Sequence, residues 1–114
     1  LVYTIERYRT LMKQAEQRFA TLGLTNIITR FGDGGLGWAE QAPFDRIIVT
    51  AAAPAEPKAL LTQLKPNGVL VAPGGRGAVQ ELIRYAGDGD GGFVREKLCD
   101  VRFVPLLDGV AKEL

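Results

Sequence analysis

Apolar positions in this chain alternate between short unbroken runs and runs at helical spacing. Leu1-Val2-Tyr3-Thr4-Ile5 is a short, almost continuous apolar run, which predicts a buried strand over 1–5 with Glu6 at its carboxyl end. From Arg7 onward, Tyr8, Leu11, Met12, Ala15, Phe19 and Leu22 fall on one helix face, while Arg9, Lys13, Glu16, Gln17 and Arg18 take the other. That apolar stripe is expected to be core, and Gly23 is expected to close the helix as a left-handed cap. Asn26 to Phe31 reads as a second strand and runs into the glycine-rich stretch Phe31-Gly32-Asp33-Gly34-Gly35-Leu36-Gly37-Trp38.

Phe44 to Thr50 is the clearest strand, bounded by Pro43 and the alanines at 51–53. Pro54 and Pro57 bracket a helix start, and Ala59 to Leu64 predicts a short helix stopped by Lys65-Pro66. Asn67-Gly68 predicts a turn, followed by a buried strand over Val69 to Ala72. Val79 to Tyr85 alternates apolar and polar, Gly87 to Gly92 is a turn cluster, and Phe93 to Leu106 is extended, so the last third predicts an antiparallel hairpin at the sheet's far edge. Strands alternating with helices imply parallel pairing through right-handed crossovers, hence a doubly wound, mainly parallel α/β sheet. Ligands bind such sheets at the carboxyl ends of the strands, where Glu6, Asp33 and Thr50 fall.

Composition narrows the chemistry. A chain of 114 residues, 46% of them hydrophobic, suits a single domain over 1–114. The net charge is +1 with acids and bases interleaved, so no basic stripe points to nucleic acid as a partner. The single cysteine, Cys99, cannot form an internal disulfide, fits a reducing compartment, and is expected to be a small buried hydrophobe. With no apolar run of membrane-spanning length, the expected location is cytoplasmic, with no membrane partner. The sequence contains neither histidine nor serine, which removes Ser/His/Asp catalysis, Cys/His pairs and nearly every zinc site. Any chemistry done here must need little proton transfer. Asp88 and Asp90 look like the opening of a calcium loop but lack its closing Glu and its flanking helices, so a plain hairpin turn is expected there.

Gly32, Gly34 and Gly37 spell the G-x-G-x-x-G dinucleotide fingerprint, but no long helix begins inside it, which argues against a nicotinamide-dependent oxidoreductase. The stretch reads instead as a glycine-rich loop carrying one carboxylate, Asp33, at a strand end, where the backbone can approach a flat ligand closely. A connector in which Asp33 merely caps a turn is the alternative. Glu6 is open to the same choice, since an acid opening a helix favours the helix dipole.

Five separated motifs resemble protein-L-isoaspartate O-methyltransferases: Val2-Tyr3-Thr4-Ile5-Glu6-Arg7, Gly32-Asp33-Gly34, Ala42 to Pro54, Leu64-Lys65-Pro66-Asn67-Gly68, and Arg102-Phe103-Val104-Pro105-Leu106. They occur in order through essentially the whole chain. The resemblance implies a fold of the S-adenosylmethionine-dependent methyltransferase (Rossmann-like) type, S-adenosylmethionine as cofactor, and methylation of L-isoaspartyl residues in damaged proteins and peptides. It also implies cofactor roles by position: Glu6 at the ribose hydroxyls, Arg7 beside it at the adenosine, and Asp33 with Gly34 at adenine. Val104-Pro105-Leu106 falls where the family brings its C-terminal strand near substrate and cofactor. No catalytic residue is assigned. The family's glycine-rich loop and serine region would lie before Leu1, so the chain is expected to be a C-terminal portion holding the adenosine half-site, inactive alone. The missing central strand would leave two apolar edges open to self-association. A noncatalytic α/β module that pairs through such an edge is the alternative function.

Overall fold

A computed structural model describes residues 1–113, which fall into two compact units, Leu1–Gly37 with the segment from Leu107, and Trp38–Leu106.

In the first unit, β1 (Val2–Glu6) and β2 (Ile27–Phe31) are joined by α1 (Arg9–Thr21). The strands pair in parallel, from Val2 opposite Ile27 to Glu6 opposite Phe31. Such a pair needs a crossover, and α1 supplies it. Gly23 ends the helix as its position predicts: its φ is +71°, its N–H donates to Ala20 O at 3.1 Å, and Leu24 N–H donates to Phe19 O at 2.9 Å. These are the two bonds of a Schellman cap. The stripe expected to be core is not buried. No residue of α1 is buried, and Leu11 is 47% exposed. Within this unit the helix meets only a two-stranded ribbon, which is too narrow to cover an apolar face of that width.

In the second unit, β3 (Phe44–Ile48), β4 (Leu64–Gly74), β5 (Gln80–Gly87) and β6 (Phe93–Val101) form one sheet in that order. β3 and β4 are parallel, while β4, β5 and β6 run antiparallel in turn. The four-residue helix α2 (Lys58–Leu61) drops Leu60 and Leu61 into a core with Leu64, Leu70, Ala72 and Tyr85. The hairpin expected at the C-terminal end is therefore present as β5 and β6.

Several local expectations are corrected: the strand expected to be buried over 1–5 holds no buried residue, and the helix expected over Ala59 to Leu64 ends at Leu61, with Leu64 opening β4. Asn67-Gly68 is not a free turn but lies inside β4. The step from Leu64 to Val69 opposes the shorter step from Phe44 to Arg46, so residues 65–68 are pushed out as a bulge. That bulge packs on the β5–β6 turn, where Gly89 N–H donates to Pro66 O at 3.1 Å. Cys99 is exposed, not buried. It lies on β6, the outer strand of the sheet, exposed from Phe93 through Asp100, beside a register slip opposite Leu82/Ile83. Among the described residues, β1 pairs only with β2, and β3 only with β4, on one edge each. No helix among them is long and apolar enough to cross a membrane.

A Cβ at Gly87 would run into the Pro66 carbonyl oxygen, which is fixed backbone, whereas a Cβ at Gly23 would meet nothing within 4 Å. Gly23→Ala therefore pays only for its left-handed backbone, about 1 kcal/mol. Gly87→Ala must also displace the bulge, and is expected to lose about 1–3 kcal/mol. Urea unfolding of the two variants beside the parent checks both the costs and their order.

Candidate functional site

Parallel pairing brings the carboxyl ends of β1 and β2 out together. Past the Glu6–Phe31 pair the ladder takes one more bond, Gly32 N–H to Glu6 O at 3.0 Å. Glu6 and the Gly32-Asp33-Gly34 loop thus leave the sheet at one end.

Each predicted residue is tied there by backbone bonds. Glu6 accepts at Oε2 from Arg7 N–H at 2.7 Å and from Tyr8 N–H at 3.3 Å, so its carboxylate sits where α1 begins. Negative charge is favoured at that helix end. Asp33 caps a short 3-10 turn, Gly34–Leu36. Its Oδ1 accepts from Gly35 N–H at 2.8 Å, and its Oδ2 accepts from Gly109 N–H at 2.8 Å. Gly37 ends the turn with a φ of +65°. Arg7 donates from Nε to Gly109 O at 3.3 Å, and its own carbonyl accepts from Ala111 N–H at 2.8 Å. A Cβ built on Gly34 meets nothing within 4 Å, so the backbone there is open to a flat group.

The structural alternative for each acid is therefore what the hydrogen bonds show: Asp33 caps a turn and Glu6 opens a helix. Neither role exhausts a carboxylate, which offers about four acceptor positions. The amide bonds hold both acids oriented, and further donors can still reach them.

The sequence reading missed the segment that closes this end of the first unit. Besides Gly109 and Ala111, Glu113 accepts from Thr10 N–H at 3.0 Å and from Thr10 Oγ1 at 2.8 Å, adding a second acid at the start of α1. The available signal was the Asp108-Gly109 pair, whose glycine adopts a φ of +71°.

The second unit has its own strand-end arrangement. Thr50 follows β3, and beyond it Ala52 N–H donates to Val104 O at 2.7 Å while Leu106 N–H donates to Ala52 O at 2.8 Å. The segment expected near substrate thus pairs in parallel with the chain leaving β3, at Ala52 opposite Pro105. A concavity of about 200 Å³ in this unit is lined by Glu56, Pro57, Pro73, Ile83, Tyr85 and Arg95 among others. Arg95 pairs with Glu56. Burial pushes the Tyr85 phenol up, partly offset by Arg95. Among the described residues, no group of three or more His, Cys, Asp or Glu side chains could hold a metal ion.

Solved structures define the class. A Plasmodium falciparum protein-L-isoaspartate O-methyltransferase in complex with S-adenosyl-L-homocysteine superposes with a TM-score of 0.80 at 25% identity, over 93% of this chain and 52% of that one. A second protein-L-isoaspartate O-methyltransferase structure gives a TM-score of 0.80 at 29% identity, over 92% of this chain and 33% of the other. The fold is the α/β type of the S-adenosylmethionine-dependent methyltransferases. The family model described as Protein-L-isoaspartate(D-aspartate) O-methyltransferase matches residues 1–111, and the chain belongs to that family. The Protein-L-isoaspartate O-methyltransferase of Caulobacter vibrioides (strain NA1000 / CB15N) is 80% identical over 99% of this chain and 51% of its own length. That of Maricaulis maris (strain MCS10) is 57% identical over 99% of this chain and 53% of its own length. The chain spans about half the length of these curated relatives.

The two bonds from Thr10 hold the Glu113 carboxyl below its ordinary range. A carboxyl lowered in the folded state contributes its contact above the ordinary value and loses it as pH falls through the lowered one. The protection of the Thr10 amide, the slowing of its exchange relative to an unstructured peptide at the same pH, is thus expected to be highest near neutral pH and to fall as Glu113 protonates. Glu113→Gln, which keeps an acceptor without the charge, should flatten that pH dependence.

Proposed function

We propose that this chain is the C-terminal portion of a protein-L-isoaspartate O-methyltransferase and carries the adenosine side of its S-adenosylmethionine site. The substrates would be proteins and peptides containing L-isoaspartyl residues, methylated at the α-carboxyl as the first step of repair. A cytoplasmic setting suits its exposed, unpaired Cys99.

The observation that carries this reading is that Glu6 and the Asp33 loop leave the same end of β1 and β2, with the open backbone of Gly34 in that loop. Vicinal ribose hydroxyls are two donors that one ionised carboxylate can accept together, the role of Glu6, with Arg7 at the rim. An exocyclic amine is a donor for Asp33, and the absence of a side chain at Gly34 lets the adenine plane lie against the backbone. The cofactor supplies a methyl group on a sulfonium. The acceptor carboxylate is already ionised at neutral pH, so its oxygen can form the new bond while sulfur keeps the electron pair of the old one. No general base is needed, which suits a chain without histidine. What such a displacement needs is alignment.

Calorimetric titration of S-adenosylhomocysteine into the chain tests the half-site. Binding is expected, and Asp33→Ala is expected to weaken it by about 1.5–3 kcal/mol, the worth of a hydrogen bond to a charged group. Binding that Asp33→Ala leaves unchanged would remove adenine from this loop.

A further inference from the structure

We infer that Gln80 is a positioning residue for the acceptor side of the reaction, its side-chain amide acting as a strand peptide group that fixes Phe103–Leu106 alongside Ala52. β6 ends at Val101, opposite Gln80. Beyond it, no strand among the described residues pairs with Phe103, and Gln80 takes that place. Phe103 N–H donates to Gln80 Oε1 at 2.8 Å, and Gln80 Nε2 donates to Phe103 O at 3.3 Å. The same nitrogen donates to Gly77 O at 2.9 Å. Gln80 is 7% exposed, and among the described residues no buried side-chain polar atom lacks a partner.

Only a group that both donates and accepts can hold a peptide unit in this way. Glutamate would set a charged acceptor against two carbonyl oxygens, and methionine would fill the space without either bond. Gly75 supports the arrangement from the other side. Its φ of +126° is closed to most side chains, a Cβ there would lie 3.8 Å from Gln80, and its N–H donates to Ala53 O at 2.9 Å. Gly75, beside Gln80, is thus bonded to the same alanine segment that Val104–Leu106 flanks. That segment leaves the carboxyl end of β3, the side on which α/β sheets bind ligands.

The methyltransferase reading supplies the identity of what meets this segment; the hydrogen bonds that hold the segment do not depend on that reading. Gln80→Glu and Gln80→Met are compared with the parent, first in this chain by amide exchange and then in the enzyme that contains it. At neutral pH both variants are expected to speed exchange at Phe103 and Leu106 about tenfold, and to raise KM for an isoaspartyl peptide about tenfold while leaving kcat and S-adenosylhomocysteine affinity near the parent's. The Glu defect should shrink as pH falls and its buried carboxyl protonates, becoming a donor, whereas the Met defect should persist. A KM unchanged in an active enzyme, or cofactor affinity falling in step with KM, overturns the inference. If the parent enzyme methylates no isoaspartyl peptide, the methyltransferase reading fails. Unchanged exchange at Phe103 would independently overturn the role of Gln80.

Discussion

The first unit depends on the in-register parallel pairing of β1 with β2. It sets Glu6 opposite Phe31 and adds one bond beyond, from Gly32 to the Glu6 carbonyl. A slip of one residue would turn every side chain to the opposite face. It would also separate the start of α1 from the Asp33 turn, two features that otherwise share an end of the pair. The apolar runs of the two strands therefore do more than bury surface: they fix which polar groups emerge together.

Much of this was legible in the residues. Ile27–Phe31 and Phe44–Ile48 are β-branched or aromatic segments with clear boundaries, and Gly23 and Pro57 mark helix ends by backbone constraint alone. Such signals are local, and tertiary context did not overrule them. What failed depended on neighbours. The helix stripe of Leu11, Met12 and Phe19 has the period of a core face, but the period does not say how wide the opposing layer is. Cys99 sits in an apolar run, but whether that strand is central or outermost is a matter of topology. Asn67-Gly68 is ordinary turn chemistry placed in a bulge by the unequal steps along β3 and β4.

The candidate site shows the same division. Glu6 and Asp33 could be placed at strand ends from pattern alone, because parallel strands put their carboxyl ends on one side. Their partners could not. The Gly109 amide that bonds Asp33 is far away in sequence, and a backbone donor leaves no mark on residue identity beyond the glycine that lets the chain turn. Gln80 is likewise an unremarkable polar residue at the edge of an alternating strand until its contacts with Phe103 are seen.

These contacts share one physical logic. Where the regular ladders end, side chains with peptide-like or carboxylate groups carry the hydrogen bonding onward: Glu6 past β1, Asp33 past β2, Gln80 past the end of β6. A buried or half-buried backbone amide left without a partner costs about as much as the bond it lacks. Each of these residues therefore stabilises the fold simply by being where it is. Carboxylates do so with acceptor capacity left over, while the amide of Gln80 has both ends engaged. The acids can thus hold the backbone and still accept from a further donor. Gln80 can only hold the backbone, so its influence on chemistry has to pass through the segment it holds.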